Sequence, residues 1–531
     1  MRKPFMGAAA LTALVAIALV GVAGASHGGP GVKTAKQPFL VRTAPGVVVD
    51  PILSVGDVVP NGQDPDYQMS GIPDGLGAYK QKKGRWHWFN SDKSNTAVVV
   101  MNHELGRSFP NNPPGVDSRI SRLEVNTKTR SVHEAQYLFT GLEGYERFCS
   151  ATLRMIRGEP YYFTGEEAVP IAGQPPGPAH DGSSIVMDPE TGMYRDLAHM
   201  GHMQHENLLP LRLKKWVFVT TDDDFRSGQP AYFYGYFDDS FNEAIRGAEG
   251  GPDEGLHVFV PDPGEERSNA EVTTKTQVVH GRWVKLTQAE NATSTTLKAA
   301  ATAKGGFKFD RMEDVALMPG RESRIFLADT GKPPATLRGR VYQFDFDRNN
   351  PYRASMRMIL NGDGAPPNGG DDIYNPDNMD ASEKVLMVQE DRESAFRDEP
   401  FSGGYNRVME YRFSDGRLRS VARVNTTPGT PPGSMTENCT GCRRGTWESS
   451  GIIDVGHIFG RDWWLLDVQA HNSTVPQPGP TLVPNSSKGE NGQLLLVKVP
   501  GSQGGGGHGG DHDDDDDDDD DGGGDDDDDD D

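Results

Sequence analysis

The sequence predicts an all-β chain, and within that class a β-propeller of six or so blades with a central metal site and a disordered acidic C-terminal tail. Short runs rich in Val, Ile, Tyr, Phe and Trp recur, among them Val98–Met101, Tyr161–Thr164, Trp216–Thr220, Tyr232–Phe237, Val341–Phe346 and Trp463–Val468. Gly, Pro, Asn and Asp clusters bound most of them, the punctuation of strands and turns. Long segments of helical period are missing, and Glu290–Ala303 is the main helical candidate. Seven polar clusters, most of them directly after an apolar run, lie between Asn102 and His471.

Taken in order, the chain starts with a secretory signal over residues 1–25. Arg2 and Lys3 precede an apolar stretch from Ala8 to Val22, which ends in Ala23-Gly24-Ala25. That stretch is short for a bilayer span and none follows, so a secreted or periplasmic protein without a membrane span is expected. Residues 26–500 form the propeller domain, of a length that one large all-β domain accommodates. Strand, Asp or Gly turn, strand patterns at Ser184–Tyr194 and Arg407–Val421 read as blade hairpins or ordinary meander hairpins.

Residues 501–531 are a Gly/Asp-rich tail. It carries 17 aspartates against a net charge of −24 for the whole chain, so the acidity is largely a property of this segment. Such a composition reads as a solvated disordered appendage, or as a loose collector of calcium. Nothing in this balance points to nucleic acid as a partner. Of the three cysteines, Cys439 and Cys442 could close a small disulfide loop in an oxidising compartment. Cys149 reads as a small core residue or a metal ligand.

The polar clusters carry the chemistry. They are Asn102-His103-Glu104, Glu166-Glu167, His205-Glu206, Glu313-Asp314, Asp377-Asn378, Glu390-Asp391 and Gln469-Ala470-His471. Carboxylates, amides and imidazoles are costly to gather unless a cation or an anionic ligand compensates them. In a propeller the inner strands of all blades line one channel, so groups far apart in sequence converge on a metal site. Plainer readings exist for several. Asp222-Asp223-Asp224 reads first as a solvated strand exit, and Arg311 beside Glu313 as an ordinary ion pair.

The succession Gly71-Ile72-Pro73-Asp74, Met101-Asn102-His103-Glu104, Thr164-Gly165-Glu166-Glu167, His205-Glu206, Arg311-Met312-Glu313, Pro376-Asp377-Asn378, Glu390-Asp391 and Val468-Gln469-Ala470-His471 resembles the PhoX-type alkaline phosphatase family. The resemblance runs from about residue 40 to 499. It implies an exported β-propeller whose central calcium and iron hydrolyse phosphate monoesters. Asn102 and Arg311 match residues that contact substrate phosphate, and Glu206 and Glu313 match metal-binding glutamates. Glu166 falls in a segment that carries metal ligands, beside the family's iron-binding cysteine. That position reads Gly165 here, which makes iron doubtful and calcium the expected cofactor.

The expected chemistry is phosphoester hydrolysis of a small phosphorylated substrate by a chain expected to be a monomer, with a metal-bound water attacking phosphorus. Glu104, Glu166, Glu206, Glu313 and Asp377 would hold the ions, Arg311 and Asn102 the phosphate, and His205 or His471 would protonate the leaving group. A calcium-holding propeller without catalysis, and a calcium-dependent lactonase or esterase, are the alternatives.

Overall fold

The computed structural model describes residues 31–61, 66–81, 95–105, 118–169, 180–224, 226, 228–247, 251–287, 292–332, 336–363, 370–391, 406–425, 447–471 and 490–503. The signal-like start, Cys439, Cys442 and the aspartate tail lie outside these residues. Among the described residues, no helix is long and apolar enough to cross a membrane.

Apart from the short pair Val58–Val59 and Tyr67–Gln68, the described strands form six antiparallel blades. Blade 1 is Pro73–Lys80, Thr96–His103, Arg119–Asn126 and Val132–Phe139, and blade 2 is Phe148–Ile156, Glu159–Glu166, Ser184–Met187 and Tyr194–Asp196. Blade 3 is His205–Arg212, Trp216–Asp222, Tyr234–Asp238 and Gly255–Pro261, and blade 4 is Met312–Leu317, Arg324–Asp329, Arg340–Phe346 and Arg353–Asn361. The strand Val278–Lys285 pairs with the outer strands of both, fusing blades 3 and 4 into one nine-stranded sheet. Blade 5 is Pro376–Ala381, Val385–Glu390, Arg407–Arg412 and Leu418–Val424, edged by Leu40–Arg42. Blade 6 is Trp447–Asp454, Trp463–Ala470 and Asn491–Lys498, completed by Val48–Ser54 from the other end of the chain. That pairing closes the ring with backbone hydrogen bonds. Consecutive inner strands pack side by side, and the last returns to the first.

The apolar runs are continuous rather than alternating because each blade is covered on both faces. Val98 and Val100 face a cluster shared with blade 2, containing Phe148 and Tyr162, while Val99 faces one shared with blade 6, containing Leu465 and Leu496. The same division repeats at every blade junction, giving six apolar clusters around the channel. Fully burying one such Val, Leu or Phe side chain contributes about 1.5–3 kcal/mol, so the junctions carry much of the cohesion. The helical candidate is a helix over Ser294–Lys304, capped by Thr293, whose side chain accepts from the Thr296 amide, and ended by Gly305 in the left-handed region. The solvated exit expected at Asp222-Asp223-Asp224 is a correction: all three are fully buried.

Candidate metal centre

Six side chains at one end of the channel come from equivalent places. Asp74, Cys149, Glu206, Glu313, Asp377 and Glu448 are each the second residue of an inner strand. In the first five blades the pairing with the neighbouring strand slips at or beside that residue, as between Pro73/Leu76, Thr164/Glu166, His205/Leu208, Met312/Val315 and Pro376/Met379. A bulge adds a residue and bends the strand, which re-aims the side chain. A second set, Glu104, Glu167, Asp223, Thr330, Asp391 and His471, follows the last residue of the second strand in each blade. Those last residues pair with the first residues of the inner strands, as His103 does with Pro73 and Glu166 with Phe148, so both sets lie at one level.

Within these sets, among the described residues, three trios bring ligand atoms together at metal-ligand spacing: Asp74, Glu104 and Cys149; Cys149, Glu167 and Glu206; and Glu206, Glu313 and Asp377. In each trio one ligand atom per residue lies within 4.8 Å of the others. Cys149 belongs to two trios and Glu206 to two, so the three positions form a connected chain. All but Asp377 are buried. Among the described residues, two cations face this acid. Arg147 contacts Glu104 at 3.0 Å and Glu167 at 2.8 Å, and Arg311 contacts Glu313 at 2.6 Å.

The charge is therefore out of balance. Burial pushes the carboxyls of Asp74, Glu206, Glu313 and Asp377 well above their usual range, and neighbouring carboxylates add to the shift. Burial likewise raises Glu167 to about 8 and Cys149 well above the usual thiol value. The Cys149 thiol donates to Glu167 Oε2 at 2.7 Å. Such a set suits divalent or trivalent cations, which would displace these protons and offset the repulsion. A thiol suits a softer metal than calcium, whereas the Glu206, Glu313 and Asp377 trio offers only oxygen.

The residues singled out from sequence separate in the structure. Glu104, Glu206, Glu313 and Asp377 come together, with Arg311 beside them. Glu166 does not join them: its carboxylate accepts from the Glu146 amide at 2.6 Å and the Gly182 amide at 2.8 Å. Sequential strand residues alternate in direction, so Glu167, one position on, faces the metal trio. His205 is fully buried with both ring nitrogens engaged, Nδ1 with Thr220 Oγ1 at 2.7 Å and Nε2 with Gly201 O at 3.0 Å. Burial lowers its pKa to about 4, so it is a neutral structural imidazole rather than a proton donor. Asn102 is also enclosed. Its amide donates to Cys149 O at 3.0 Å and Thr164 Oγ1 at 2.7 Å and accepts from the Tyr162 hydroxyl at 2.9 Å, bracing the strand that presents Cys149.

Gly165 is not a gap in the site. It lies opposite the bulge at Cys149 and Ser150, and a Cβ there would collide with the Cβ of His205. Glycine is set by the packing of blade 2 on blade 3, and the thiol enters from Cys149.

Sequence reasoning left out Asp74, Glu167, Asp223 and Glu448 as site residues. Asp74 and Glu104 share the Gln469 amide as donor, at 2.9 and 3.0 Å. Gln469 Oε1 in turn faces His471 Nε2 at 3.0 Å, and His471 Nδ1 lies 2.7 Å from Glu490. The available signal was positional. Each ligand is the second residue of a strand or the first after one, and the sequence shows a blade's length but not its bulge.

No protein-family model matches this sequence, and no curated protein matches it. Among solved structures, Pseudomonas fluorescens PhoX in complex with vanadate, a transition state analogue, is similar with a TM-score of 0.58 and 14% identity, covering 89% of this chain and 99% of that one. The likeness shows a PhoX-like propeller fold. Pyrococcus horikoshii acylaminoacyl peptidase and an α-L-arabinofuranosidase from Lactobacillus brevis are also similar, with TM-scores of 0.30 and 0.35 and 10% identity each. They cover 76% and 67% of this chain, and the chain covers 50% and 97% of theirs.

Proposed function

We propose that this protein is a metal-dependent phosphoester hydrolase acting outside the cytoplasm on small phosphorylated substrates. The observation that carries the reading is the connected chain of three ligand trios beside Arg311, at one mouth of a PhoX-like propeller. Ions held there would place positive charge on the non-bridging oxygens and lower the pKa of water. The chain's own groups do the rest. Arg311 faces the trio of Glu206, Glu313 and Asp377 and supplies a guanidinium suited to a phosphoryl oxygen. Arg147 ties Glu104 to Glu167, holding ligands of two trios at fixed separation. Calcium fits the all-oxygen trio, and iron or another metal that accepts thiolate fits the two that share Cys149.

A second reading, a metal-bearing propeller without turnover, has one observation in its favour: Asn102 is wholly committed to hydrogen bonds beneath Cys149. The two separate in one experiment. The full chain is dialysed, which removes calcium held weakly by the aspartate tail, and its metals are counted. It is then assayed on a chromogenic phosphomonoester, a phosphodiester and a lactone with and without chelator. Chelator-sensitive phosphate release that is lost in Arg311→Ala is expected; bound metal with no release from either phosphoester overturns the hydrolase reading.

A further inference from the structure

Gln469 joins two members of the first trio without carrying a charge. Its side-chain amide donates to Asp74 Oδ2 at 2.9 Å and to Glu104 Oε2 at 3.0 Å, so both of its hydrogens are directed at carboxylates. The opposite orientation would set the amide oxygen against two carboxylates, so these neighbours decide which end is the donor. The oxygen then faces His471 Nε2 at 3.0 Å. The backbone is pinned as well. Gln469 lies in a central strand of blade 6, paired with Glu448 on one side and Gly492 on the other, and it is buried.

Asp74 differs from the other acids of the mouth in what meets it. Its partners are the amides of Gln469 and Asn378 and the Ser450 hydroxyl, and among the described residues it makes no ion pair with an arginine or lysine. Glu104 and Glu167 share Arg147, and Glu313 meets Arg311.

We propose that Gln469 is a positioning residue for the trio of Asp74, Glu104 and Cys149, and that its neutrality leaves the charge of that trio to a metal ion. A cation in its place would hold the same two carboxylates but neutralise them in a salt bridge. An apolar side chain would leave them without a shared donor. The amide does neither, since it orients one oxygen of each and keeps their net charge. Hydrogen-bonding groups behind metal ligands act in this way, and their loss weakens metal binding by about 10–100-fold. The inference rests on the metal-binding part of the reading above and is independent of hydrolysis.

The test uses the full chain as wild type, Gln469→Met and Gln469→Lys, each loaded with calcium and iron and dialysed. Bound metal is counted by elemental analysis, its affinity is measured by competition with a chelator, and melting temperature is recorded in excess chelator at pH 8. Gln469→Met is expected to need about 10–100-fold more free metal to fill one position, and to melt below wild type in chelator. Gln469→Lys is expected to hold one metal ion fewer per chain, yet to melt at or above the wild-type temperature in chelator, because the ammonium offsets Asp74 and Glu104. An amide with a purely structural role would not pair lost metal with kept stability. Wild-type metal affinity in Gln469→Met overturns the positioning role. Full metal content in Gln469→Lys overturns the role of neutrality, and so does a Gln469→Lys protein that melts below wild type in chelator, which would show that shape alone suits this position to an amide. Wild type that binds no metal overturns the metal reading itself, and this inference falls with it.

Discussion

At their second residues the six inner strands present Asp74, Cys149, Glu206, Glu313, Asp377 and Glu448 to one mouth of the channel. Farther along, the same strands line a cavity of about 450 Å³ with Leu76, Ala151, Leu209, Val315, Ala381 and Ile452 among its walls. Between the two lies a polar layer in which Ser150 donates to Asp314 at 3.0 Å, Asn207 donates to the same carboxylate, and Asp314 accepts from the Met379 amide at 2.7 Å. Every group in that layer is matched to a partner within the chain, and so burial raises the Asp314 pKa only to about 6. The mouth above it is different because, among the described residues, its trios of acids face two arginines, Arg147 and Arg311. The same backbone architecture therefore carries a self-satisfied layer and an acid-rich one, and the acid-rich one is where the proposed metal would offset the repulsion.

The largest effect should come from breaking the chain of trios at a shared member. Glu206 belongs to two of them, so Glu206→Gln is expected to lose metal from two positions and to abolish any chelator-sensitive hydrolysis. Glu166→Gln is its control, since that side chain sits close in sequence to a ligand yet serves only the Glu146 and Gly182 amides. Glutamine keeps one acceptor oxygen for them, so the loss should be about 1–2 kcal/mol of stability with full metal content. Elemental analysis and a denaturant melt on both proteins decide the matter. Equal metal loss in the two would erase the distinction between strand-end braces and ligands.

That distinction also marks what could be read from the chain. The propeller was legible because strand composition and turn residues are local properties, and the runs Val98–Met101 and Trp463–Val468 fall within strands. The clusters were legible as polar groups after apolar runs. The side that each residue faces was not, because alternation and a bulge decide it. Glu166 and Glu390 close the second strands of their blades and accept from the amides of Glu146 and Tyr374, each two residues before an inner strand. Their followers Glu167 and Asp391 face the site. A repeated brace of this kind recurs in blade 4, where Asp329 accepts from the Asp310 amide at 3.1 Å. The residues that fill it differ, so no sequence repeat announces it. Cys149 was obscured for the same reason: its place depends on the blade 2 bulge, which no residue type in Phe148-Cys149-Ser150 reveals.

A middle-sized effect separates the two ends by pH. Asp74, Glu206, Glu313 and Asp377 have their pKa values raised in the folded chain, chiefly by burial. Below about pH 3 these groups are largely protonated, folded or unfolded, and cost nothing. As pH rises the unfolded chain releases its protons first, so stability contributed by the protonated groups is lost from about pH 4 upward, through the raised folded values. Chelated protein should therefore melt at a lower temperature at pH 8 than at pH 5, and added metal should restore most of the difference. A chelated protein with the same melting temperature at both values would show that the acid mouth is already balanced by Arg147 and Arg311.

The smallest effect belongs to the far half of the channel. Asp380 lines the cavity there, accepting from the Asp454 amide at 2.6 Å and from the Ala381 amide at 2.8 Å, and burial raises its pKa to about 8. It too holds its proton in the folded state, so it contributes stability at low pH that fades between about pH 4 and 8. Asp380→Asn retains an acceptor for one of the two amides and removes the titration, at the cost of the other hydrogen bond. The variant should gain about 1 kcal/mol relative to wild type between pH 5 and 8, a shift of about 1 °C for a domain of this size, with metal content and any phosphoester hydrolysis unchanged. The gain follows because asparagine has no proton for the unfolded chain to release as pH rises. Metal loss in Asp380→Asn would mean that the polar layer of Ser150, Asn207 and Asp314 transmits strain from one half of the channel to the other, and the two ends would then have to be treated as one site.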